Sequence, residues 1–479
     1  MTDFAEYDEA SGIGSVSKMN ERCCKVPGSG ALCTFIMMHF CRYHISPANA
    51  WHDNTAMKAL FFLRHYNDID HITPVITAWV EAGHTCDVIL IGAGKFRHDF
   101  RVSYLASLEG VRVAHIRELL AGWLYCAWRL QMLLLTGNLR RSFIGPLVSR
   151  LAESYSTEWR KPLWQKVARI LLARSFKDRE QGVLAFDWIE RNSVIATEWV
   201  ETIVSMARDR GVGTVSLPHG DSPHANQLIR RGEWQLGPDM TFSTARIFDR
   251  VVVPNELCAQ RFRPFLSEGA IAVLGSPRFS KQWLDRLAEL MPSSPLIHPE
   301  GRLRIVIFLR KANFTTFWEE VSEAIHLIAA FHDVEIIIKP HTRSGWKQSL
   351  TRSKSLKKLE NVSVADDSAH STYLMNWADV CIDLATSVVF EAIRCGKPVL
   401  AADYLHAGRS AAAVYMPETE LRCRDDVYRK ISDFIAKGCD EFYVEAHRQR
   451  FISEMLDVGG QDVLPRYVAL LEAMGSGKK

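Results

Sequence analysis

Hydrophobic residues in this chain are grouped into short continuous runs, which alternate with longer amphipathic segments. Runs rich in aliphatic and aromatic residues lie at 59–63, 86–92, 111–116, 213–217 and 334–339. A continuous apolar run is typical of a strand buried on both faces, and an amphipathic segment between two such runs is typical of a crossover helix. The pattern therefore predicts an α/β fold built on doubly wound parallel sheets.

The same pattern makes finer predictions along the chain. We expect residues 64–70 to form a polar loop and residues 194–200 to resume the strand–helix alternation. Helices are predicted at 71–82, 318–332 and 425–456.

Changes in composition predict two domains and two flanking segments. Residues 1–56 are polar and rich in glycine and serine around an apolar patch with cysteines, so we expect a poorly ordered, dispensable leader there. Residues 57–290 are expected to form the N-terminal domain, and residues 300–440 the C-terminal domain. A polar stretch with three prolines separates them. The helices of 441–479 are predicted to cross back onto the first domain.

Residues 117–180 interrupt the α/β rhythm with a helical, tryptophan-rich insert. Between 139 and 180 the chain has ten Lys or Arg against four Asp or Glu. Three explanations stay open: a helical pair packed on the N-terminal domain with solvated basic faces, a surface that lies on a membrane, and an insert that binds an acceptor.

Composition excludes several classes of protein. The 479 residues carry a net charge of +3, with 47% hydrophobic and 24% charged residues, which is typical of a soluble globular protein and calls for no nucleic-acid partner. The eleven cysteines show no repeated metal-ligand spacing, and we expect reduced cytosolic thiols.

No Walker loop, G-x-G-x-x-G or H-E-x-x-H motif occurs, so we expect neither a metal nor a cofactor. No segment reaches the length of a membrane span, and we expect a cytoplasmic protein.

A candidate phosphate site follows the predicted strand at 380–382. Asp383 ends this strand, Thr386 and Ser387 occupy the turn, and Glu391 lies on the helix that follows. A helix start of this kind offers hydroxyls, free N–H groups and the positive end of the helix dipole to an anion. Ordinary helix capping by Thr and Ser is the alternative.

A second set of polar residues lies at the end of the strand at 334–339. This strand stops at Lys339 and delivers His341 and Arg343 to its carboxyl end, where ligands bind in open α/β sheets. We therefore predict that His341 and Ser387 face one oxyanion of a nucleotide. The strand at 304–309 ends in a further basic pair that includes Lys311.

Candidate general bases follow two strands of the predicted N-terminal domain. His219 and Asp221 come after the strand at 213–217, and His65 and Asp68 come after the strand at 59–63. A histidine near a carboxylate at a strand end is suited to accept a proton from a substrate hydroxyl.

Four motifs in a fixed order resemble a known family. They are Pro218-His219-Gly220, Gly275-Ser276-Pro277-Arg278, Lys339-Pro340-His341, and Asp383 with Thr386-Ser387, Phe390-Glu391 and Lys397-Pro398. In this order the chain resembles the GT-B glycosyltransferase superfamily over roughly residues 215–405. It looks most like the CDP-glycerol glycerophosphotransferases and the capsule-polymer transferases, with their polysialyl- and Kdo-transferase-like members. Thr386 replaces a serine of that pattern, and the tryptophan usual before His-Gly is absent.

The resemblance implies two Rossmann-like domains facing a central cleft, with the helical insert in the first. It implies metal-independent transfer of a sugar or polyol phosphate from a nucleotide-activated donor, preferably CMP- or CDP-linked, to a cell-envelope or capsular glycan. His219 would be the base and Asp221 its orienting partner, with His65 and Asp68 in reserve. The implied donor-binding residues are Lys339, His341, Arg343, Asp383, Thr386, Ser387, Glu391 (on the ribose), Arg278 and Lys311.

Two alternatives to a transferase stay open. An enzyme like UDP-N-acetylglucosamine 2-epimerase shares the two-domain architecture and needs no acceptor. A catalytically silent GT-B module in a polysaccharide assembly complex would use residues 117–180 as its main surface. For a transferase, the expected partners are a nucleotide-sugar donor and a glycan or lipid-linked acceptor, with contact to the inner face of the membrane through the insert.

Overall fold

A computed structural model of the chain describes residues 56–92, 94–136, 157–176, 181–189, 196–218, 240–293, 296, 300–310, 316–341, 350, 356–366, 369–458 and 462–477. All but the last residue of the predicted leader, and much of the segment between the two halves of the insert, lie outside this range. Both sheets described below belong to one compact unit, Thr55–Lys479.

The described residues of the first half form a parallel sheet of seven strands in the order β3-β2-β1-β4-β5-β6-β7. The strands are β1 (Lys58–Leu63), β2 (Thr85–Leu90), β3 (Val111–His115), β4 (Gly182–Asp187), β5 (Gly213–Leu217), β6 (Arg250–Val253) and β7 (Ile271–Val273). The central strands β1 and β4 are almost fully buried, because helices cover both faces of the sheet.

The described residues of the second half form a parallel sheet of five strands in the order β10-β9-β8-β11-β12. The strands are β8 (Leu303–Phe308), β9 (Val334–Lys339), β10 (Val362–Val364), β11 (Val380–Asp383) and β12 (Val399–Ala401). The two sheets confirm the predicted pair of doubly wound, Rossmann-like units.

Helices connect the strands and pack on the faces of both sheets. The helices of the first half are α1 (Tyr66–Glu81), α2 (Phe100–Ser107), α3 (Ile116–Leu119), α4 (Gly122–Leu135), α5 (Thr157–Ser175), α6 (Thr197–Arg208), α7 (Glu256–Phe262) and α8 (Lys281–Leu290). Those of the second half are α9 (Trp318–Ala329), α10 (Ser371–Trp377), α11 (Phe390–Arg394), α12 (Ala411–Tyr415), α13 (Arg424–Lys437), α14 (Glu445–Phe451) and α15 (Leu464–Gly475).

The predicted alternation is wrong in detail around residues 182–200. Gly182–Asp187 forms the fourth strand, which the sequence pattern did not assign, and the described residues 197–200 are the first turn of helix α6. Trp199, Ile203 and Ala207 recur at helical spacing and are buried on one face of that helix. The structure of this segment therefore follows the helical period of its buried residues and not its short apolar run.

Two further predictions need correction at helix boundaries. Residues 66–70 are helical and not a loop, since α1 begins at Tyr66. The single helix expected at 425–456 is divided, because α13 ends at Lys437 and Gly438 follows it at φ 82°. A left-handed residue of this kind ends a helix at little cost only when it is glycine.

The last helix, α15, packs against the N-terminal sheet and not against the sheet that precedes it in the chain. Tyr467 on α15 is fully buried, and its hydroxyl donates to the Gly275 carbonyl at 2.8 Å. Gly213 lies under the end of α15, where a Cβ would come within 2.5 Å of the Met474 carbonyl oxygen. The end of the chain thus ties the two halves together.

The described part of the helical insert consists of α4 and α5. Trp128 and Trp164 are buried in the core that lies under these helices, whereas Trp123 and Trp159 are 62% and 79% exposed. The insert therefore packs on the N-terminal sheet through one face and presents aromatic and basic side chains on the other.

The state of the cysteines and the character of the helices complete the description of the fold. The cysteines of the described residues are free thiols, and burial raises the pKa of Cys86 and of Cys381 to about 12. Among the helices that the structure describes, none combines the length and the apolar character that a membrane crossing requires.

Candidate functional site

Each sheet has a switch point, where neighbouring strands continue the chain in opposite directions. In the N-terminal sheet it lies between β1 and β4, and in the C-terminal sheet between β8 and β11. Ligands of open α/β sheets bind beyond the carboxyl ends of the strands at such points. The residues that follow these four strands therefore form the candidate site.

A buried ion-pair network occupies the N-terminal switch point. Arg64 follows β1, and its guanidinium pairs with Asp187 at the end of β4. Its Nε also donates to Asp68 Oδ2 at 3.3 Å, and its Nη2 donates to the Trp188 carbonyl at 3.0 Å. Because two buried carboxylates share one guanidinium, the network fixes the first turn of α1 against the end of β4.

His65, at the start of α1, is oriented by this network. Its Nδ1 lies 2.7 Å from Asp68 Oδ1, and its side chain is 13% exposed. An imidazole held by a buried carboxylate and still reachable from solvent has the arrangement of an oriented general base. The structure thus brings the predicted pair His65 and Asp68 together.

The same residues have the donor atoms of a metal site. His65, Asp68 and Asp187 each offer one ligand atom within 4.8 Å of the others. These are suitable ligand types, but Arg64 already neutralises both carboxylates. The set therefore fits a guanidinium better than a divalent cation.

A buried arginine lies at the C-terminal switch point. β8 ends at Phe308, which is in register with Asp383 at the end of β11, and Arg310 follows β8. Arg310 is 5% exposed and lies close enough to Asp383 to affect its ionisation. Of the basic pair predicted after this strand, Lys311 was assigned to the site and lies outside the described residues, whereas Arg310 was not assigned to the site.

The turn after β11 is closed by Asp383 itself. The backbone N–H and the hydroxyl of Thr386 both donate to Asp383 Oδ1, at 2.8 and 2.6 Å. Ala385 between them has φ 57°, a conformation that is uncommon for a residue other than glycine and that clusters at functional sites. Because the Thr386 hydroxyl gives its proton to Asp383, it does not offer that proton to a phosphate as predicted.

The helix after this turn is shorter than the phosphate argument assumed. Residues Ser387–Val389 form a 3-10 turn and α11 has only five residues, Phe390–Arg394. The helix dipole sums over aligned peptides, so its contribution to anion binding is small here. Attraction for a phosphate must come mainly from buried cations such as Arg310.

Asp383 is held in an unusual electrostatic environment. Complete burial raises its pKa to about 7, and the nearby Asp403 raises it as well, whereas the bonds from Thr386 and the charge of Arg310 lower it. The carboxyl therefore takes up a proton near neutral pH. It can serve as a proton carrier or as a neutral partner of an anion.

The loop at 403–410 covers the other side of this group. Asp403 accepts two hydrogen bonds from the Ser410 N–H, at 3.1 and 3.0 Å, and lies 3.4 Å from His406 Nε2. A Cβ on Gly408 would come within 2.9 Å of Arg310 Nη1, so the loop backbone lies directly on that guanidinium. None of the four sequence motifs lies in this loop.

Strand β9 brings the predicted Lys339 and His341 to the same edge. Lys339 and Asp383 are both in register with Phe308, so their strand ends lie two spacings apart, about 10 Å. A diphosphate can bridge this distance. The joint contact of His341 and Ser387 with one oxyanion stays a prediction.

Lys339 is buried, and its ammonium is engaged by the chain. Its Nζ donates to the Asp366 carbonyl at 2.8 Å. Its charge also acts on His370, which precedes α10. Lys339 therefore adds positive potential at the strand ends even while it bonds the loop after β10.

A polar cluster joins the two halves of the molecule. Asp70 on α1 pairs with Arg101 on α2 and lies 3.5 Å from Arg278, which follows β7. His370, from the second half, lies with Nε2 at 3.8 Å from Asp70. Burial and the positive charges of Arg101, Arg278 and Lys339 keep the pKa of His370 well below its ordinary value. Its imidazole is neutral at pH 7.

Glu391 is buried beside this cluster. Burial raises its pKa, whereas Arg278 and the Thr372 hydroxyl lower it. Phe279 and Phe390 pack edge to face with ring centroids 5.8 Å apart, so the residues beside them in sequence, Arg278 and Glu391, are held near each other. The contact of Glu391 with a ribose stays a prediction.

Four predicted site residues lie outside the described part of the chain: His219, Asp221, Lys311 and Arg343. The structure also adds residues that the sequence analysis did not assign to the site: Arg64, Asp187, Arg101, Arg310, His370, Asp403 and His406. Asp187 could have been found from its place after a continuous apolar run, GVLAF. His370 had no such signal, since the sequence pattern assigned no strand in the segment before it.

The comparisons with solved structures agree on the fold. UDP-GlcNAc 2-epimerase from Neisseria meningitidis, bound to UDP-GlcNAc, is 12% identical with a TM-score of 0.52, over 87% of this chain and 99% of its own. MnaA from Staphylococcus aureus, in a structure with UDP, is 11% identical with a TM-score of 0.51, over 87% and 96%. A further UDP-N-acetylglucosamine 2-epimerase is 11% identical with a TM-score of 0.50, over 88% and 98%.

These likenesses establish the fold and leave the reaction open. The chain has the two-domain α/β architecture of the GT-B class, as its motif order predicted. No family model and no curated protein matches its sequence. The narrower resemblance to capsule-polymer and glycerophosphate transferases therefore belongs with the proposals.

Proposed function

We propose that the chain is an enzyme that acts on a nucleotide-activated sugar, bound between the two switch points. The proposal rests on the different chemical groups that lie at the two switch points. A carboxylate-oriented imidazole, His65, lies at one, and a buried cation, Arg310, lies with a protonatable carboxyl, Asp383, at the other. Asp70 on α1 and His370 before α10 bring the two halves of the molecule into contact.

We propose a UDP-sugar as the substrate, and inversion at C2 of UDP-N-acetylglucosamine as the reaction. A base takes the proton from C2, and the electron pair of the C2–H bond forms a C1=C2 double bond while UDP leaves C1 with the electrons of the C1–O bond. UDP then returns to C1, and a proton is delivered to the opposite face of C2. The reaction therefore needs acid–base groups and a site that holds the nucleotide. It needs no second substrate. Support comes from the structural neighbours, which are named as UDP-GlcNAc 2-epimerases or contain UDP. The cytidine donor suggested by the motif order receives no such support.

In this proposal the C-terminal edge holds the nucleotide diphosphate. Lys339 and Arg310 supply positive charge, His341 supplies an N–H donor, and Ser387 supplies a hydroxyl. Such groups, fixed before the substrate arrives, stabilise charge that develops on a departing diphosphate. His65, oriented by Asp68, is the proposed base.

Glycosyl or polyol-phosphate transfer is the second candidate. It is favoured by the ordered motifs, of which the Gly275–Arg278 turn delivers Arg278 to the polar cluster at the domain contact. In that case the acceptor would be a glycan of the cell envelope or capsule. A catalytically silent GT-B module would keep the fold but need no oriented base.

A direct test separates the candidates. The protein is incubated with UDP-N-acetylglucosamine alone, and proton NMR follows the appearance of the manno epimer. A thermal-shift panel of UDP, CDP, CMP and GDP identifies the base, because a bound nucleotide raises the melting temperature by mass action. Epimer formation and a selective UDP shift are expected. A CMP or CDP shift without epimer formation would favour the transferase, and no shift with any nucleotide would rule out both.

A further inference from the structure

A basic cavity lies in the N-terminal half, at the carboxyl ends of β2 and β3 and beside the segment that follows β1. Its volume is about 290 Å³. The described residues that line it are Gly92, Gly94, Arg97, His98, His115, Arg117, Tyr125 and Arg129. They come from the segments after β2 and β3 and from α4, so the cavity belongs to the outer edge of the sheet. The proposed substrate site, by contrast, lies beyond β1 and β4.

Positive charge dominates this cavity. Arg97 pairs with Glu118. In the part of the chain that the structure describes, Arg117 and Arg129 have no carboxylate within ion-pair distance. Arg117 is exposed and Arg129 is half-buried, so the two guanidinium groups repel each other modestly, and an anion between them relieves this repulsion.

His115 forms a fixed, neutral part of the wall. Its Nδ1 accepts from the Arg117 N–H at 3.1 Å, so the proton is on Nε2, which donates to the Gly92 carbonyl at 3.2 Å. Burial lowers its pKa, and the charges of Arg97 and Arg117 lower it further. Both ring nitrogens are therefore used to hold the cavity in shape.

The backbone that lines the cavity is also held in place by close contacts. A Cβ on Gly92 would come within 1.8 Å of the Arg64 carbonyl oxygen, so only glycine lets the chain pass the end of β1 here. On the other side Tyr125 lies against Trp128, with ring centroids 6.2 Å apart and an interplanar angle of 30°. An aromatic ring beside two arginines is suited to a sugar ring that carries an anionic group.

We propose that this cavity is a second binding site of the protein, for a monosaccharide that carries a phosphate or a carboxylate. Its volume is at the lower end of the range of small-molecule sites, so one sugar ring fits and a whole nucleotide sugar does not. Arg117 and Arg129 bind the anionic group, and Tyr125 packs against the ring. The site goes beyond the proposed epimerisation, which needs no second ligand.

Calorimetric titration of the full-length protein tests the proposal. The probes are glucose 1-phosphate and glucuronate, with glucose as the neutral control. The double variant R117Q/R129Q removes both unpaired charges, and R169Q removes an exposed arginine of α5 that does not line the cavity. A charged hydrogen bond is strong enough that its loss weakens binding by about tenfold or more.

The phosphate could be carried by a free sugar or by a lipid. A second arm therefore measures co-sedimentation with phosphatidylcholine vesicles, with and without phosphatidic acid. Binding of glucose 1-phosphate that R117Q/R129Q weakens at least tenfold, and R169Q less than twofold, supports a free sugar ligand. Binding only to the phosphatidic acid vesicles, with the same dependence, supports a lipid-borne anion. Absence of binding in both arms, or equal effects of R169Q, overturns the proposal. Turnover of UDP-N-acetylglucosamine is measured separately, so either proposal can fail alone.

Discussion

Asp70 Oδ1 lies 3.8 Å from His370 Nε2, although the two residues belong to different halves of the molecule. The imidazole is neutral at pH 7, since burial and three nearby cations lower its pKa. The charge of Asp70 is therefore balanced by Arg101 and Arg278, and His370 completes the contact as a polar neighbour. Asp70, which already pairs with Arg101 in the first half, thus also contacts the segment before α10 in the second half.

We expect D70N to destabilise the protein by about 3 kcal/mol, because it leaves Arg101 buried with one carboxylate fewer. Urea unfolding measures the change in the free energy of unfolding. D285N is the matched control, since Asp285 is 64% exposed in a pair with Lys281, and its loss should cost about 0.5 kcal/mol or less. Equal effects of the two variants would mean that the cluster contributes no more than a surface pair.

Asp383 predicts a pH dependence of stability. Its pKa is about 7 in the folded protein and near 3.8 when unfolded, so the folded state retains a proton between these values. The contribution of this group to stability therefore falls as pH rises from about 4 to about 7, and stays low above that.

The variant D383N keeps an oxygen for the two bonds from Thr386 and cannot ionise. We expect it to stabilise the protein at pH 8 by about 2–4 kcal/mol relative to its effect at pH 4.5, from a shift of about three pKa units. Urea unfolding of both proteins at the two pH values measures this difference. A change in stability that is the same at pH 4.5 and pH 8 would show that Asp383 ionises normally.

His65 is the residue on which the proposed reaction depends most directly. If it is the base, H65Q should lower kcat by about 10²–10⁴-fold and change KM little, because the imidazole acts on the proton and not on the nucleotide. H332Q is the control, since His332 is exposed and precedes the amino end of β9, opposite the end that carries Lys339. A rise in KM with unchanged kcat would instead assign His65 to substrate binding.

Much of the architecture is predictable from the sequence, because buried parallel strands are continuous apolar runs. β1, β2, β9 and β11 all lie within one or two residues of such runs. β4 was missed, since the basic insert precedes it and the helical period of α6 follows it closely. Pattern reasoning is weakest where two elements of different period are joined by a short segment.

The candidate site is less predictable than the fold. Lys339 and Asp383 could be found, because they end strands that the pattern already assigns. Arg101 and His370 could not, because each lies on a helix or at its start and reaches the site only through packing of the two halves. Sequence motifs show which strands end in polar residues. The contact between the two domains depends instead on how the domains are placed relative to each other.

The turn that carries Arg278 offers the sharpest structural test. Gly275 has φ 89°, and a Cβ there would lie 2.6 Å from the Leu456 carbonyl oxygen and 2.7 Å from Val463 Cγ2. The Ser276 N–H donates to the same Leu456 carbonyl at 2.7 Å, so this backbone cannot move away without loss of that bond. G275A should therefore suffer both backbone strain and a clash.

Gly301 is the matched comparison, with φ 68° and no atom within 4 Å of a Cβ. We expect G301A to cost about 1–2 kcal/mol from left-handed strain alone. G275A should cost about 1–3 kcal/mol more, the usual penalty of an overpacked core position. Urea unfolding of both variants measures the difference, and activity with UDP-N-acetylglucosamine shows whether Arg278 is displaced. Similar losses of stability in the two variants would show that the segment around Leu456 yields freely, and that the C-terminal segment does not fix the turn.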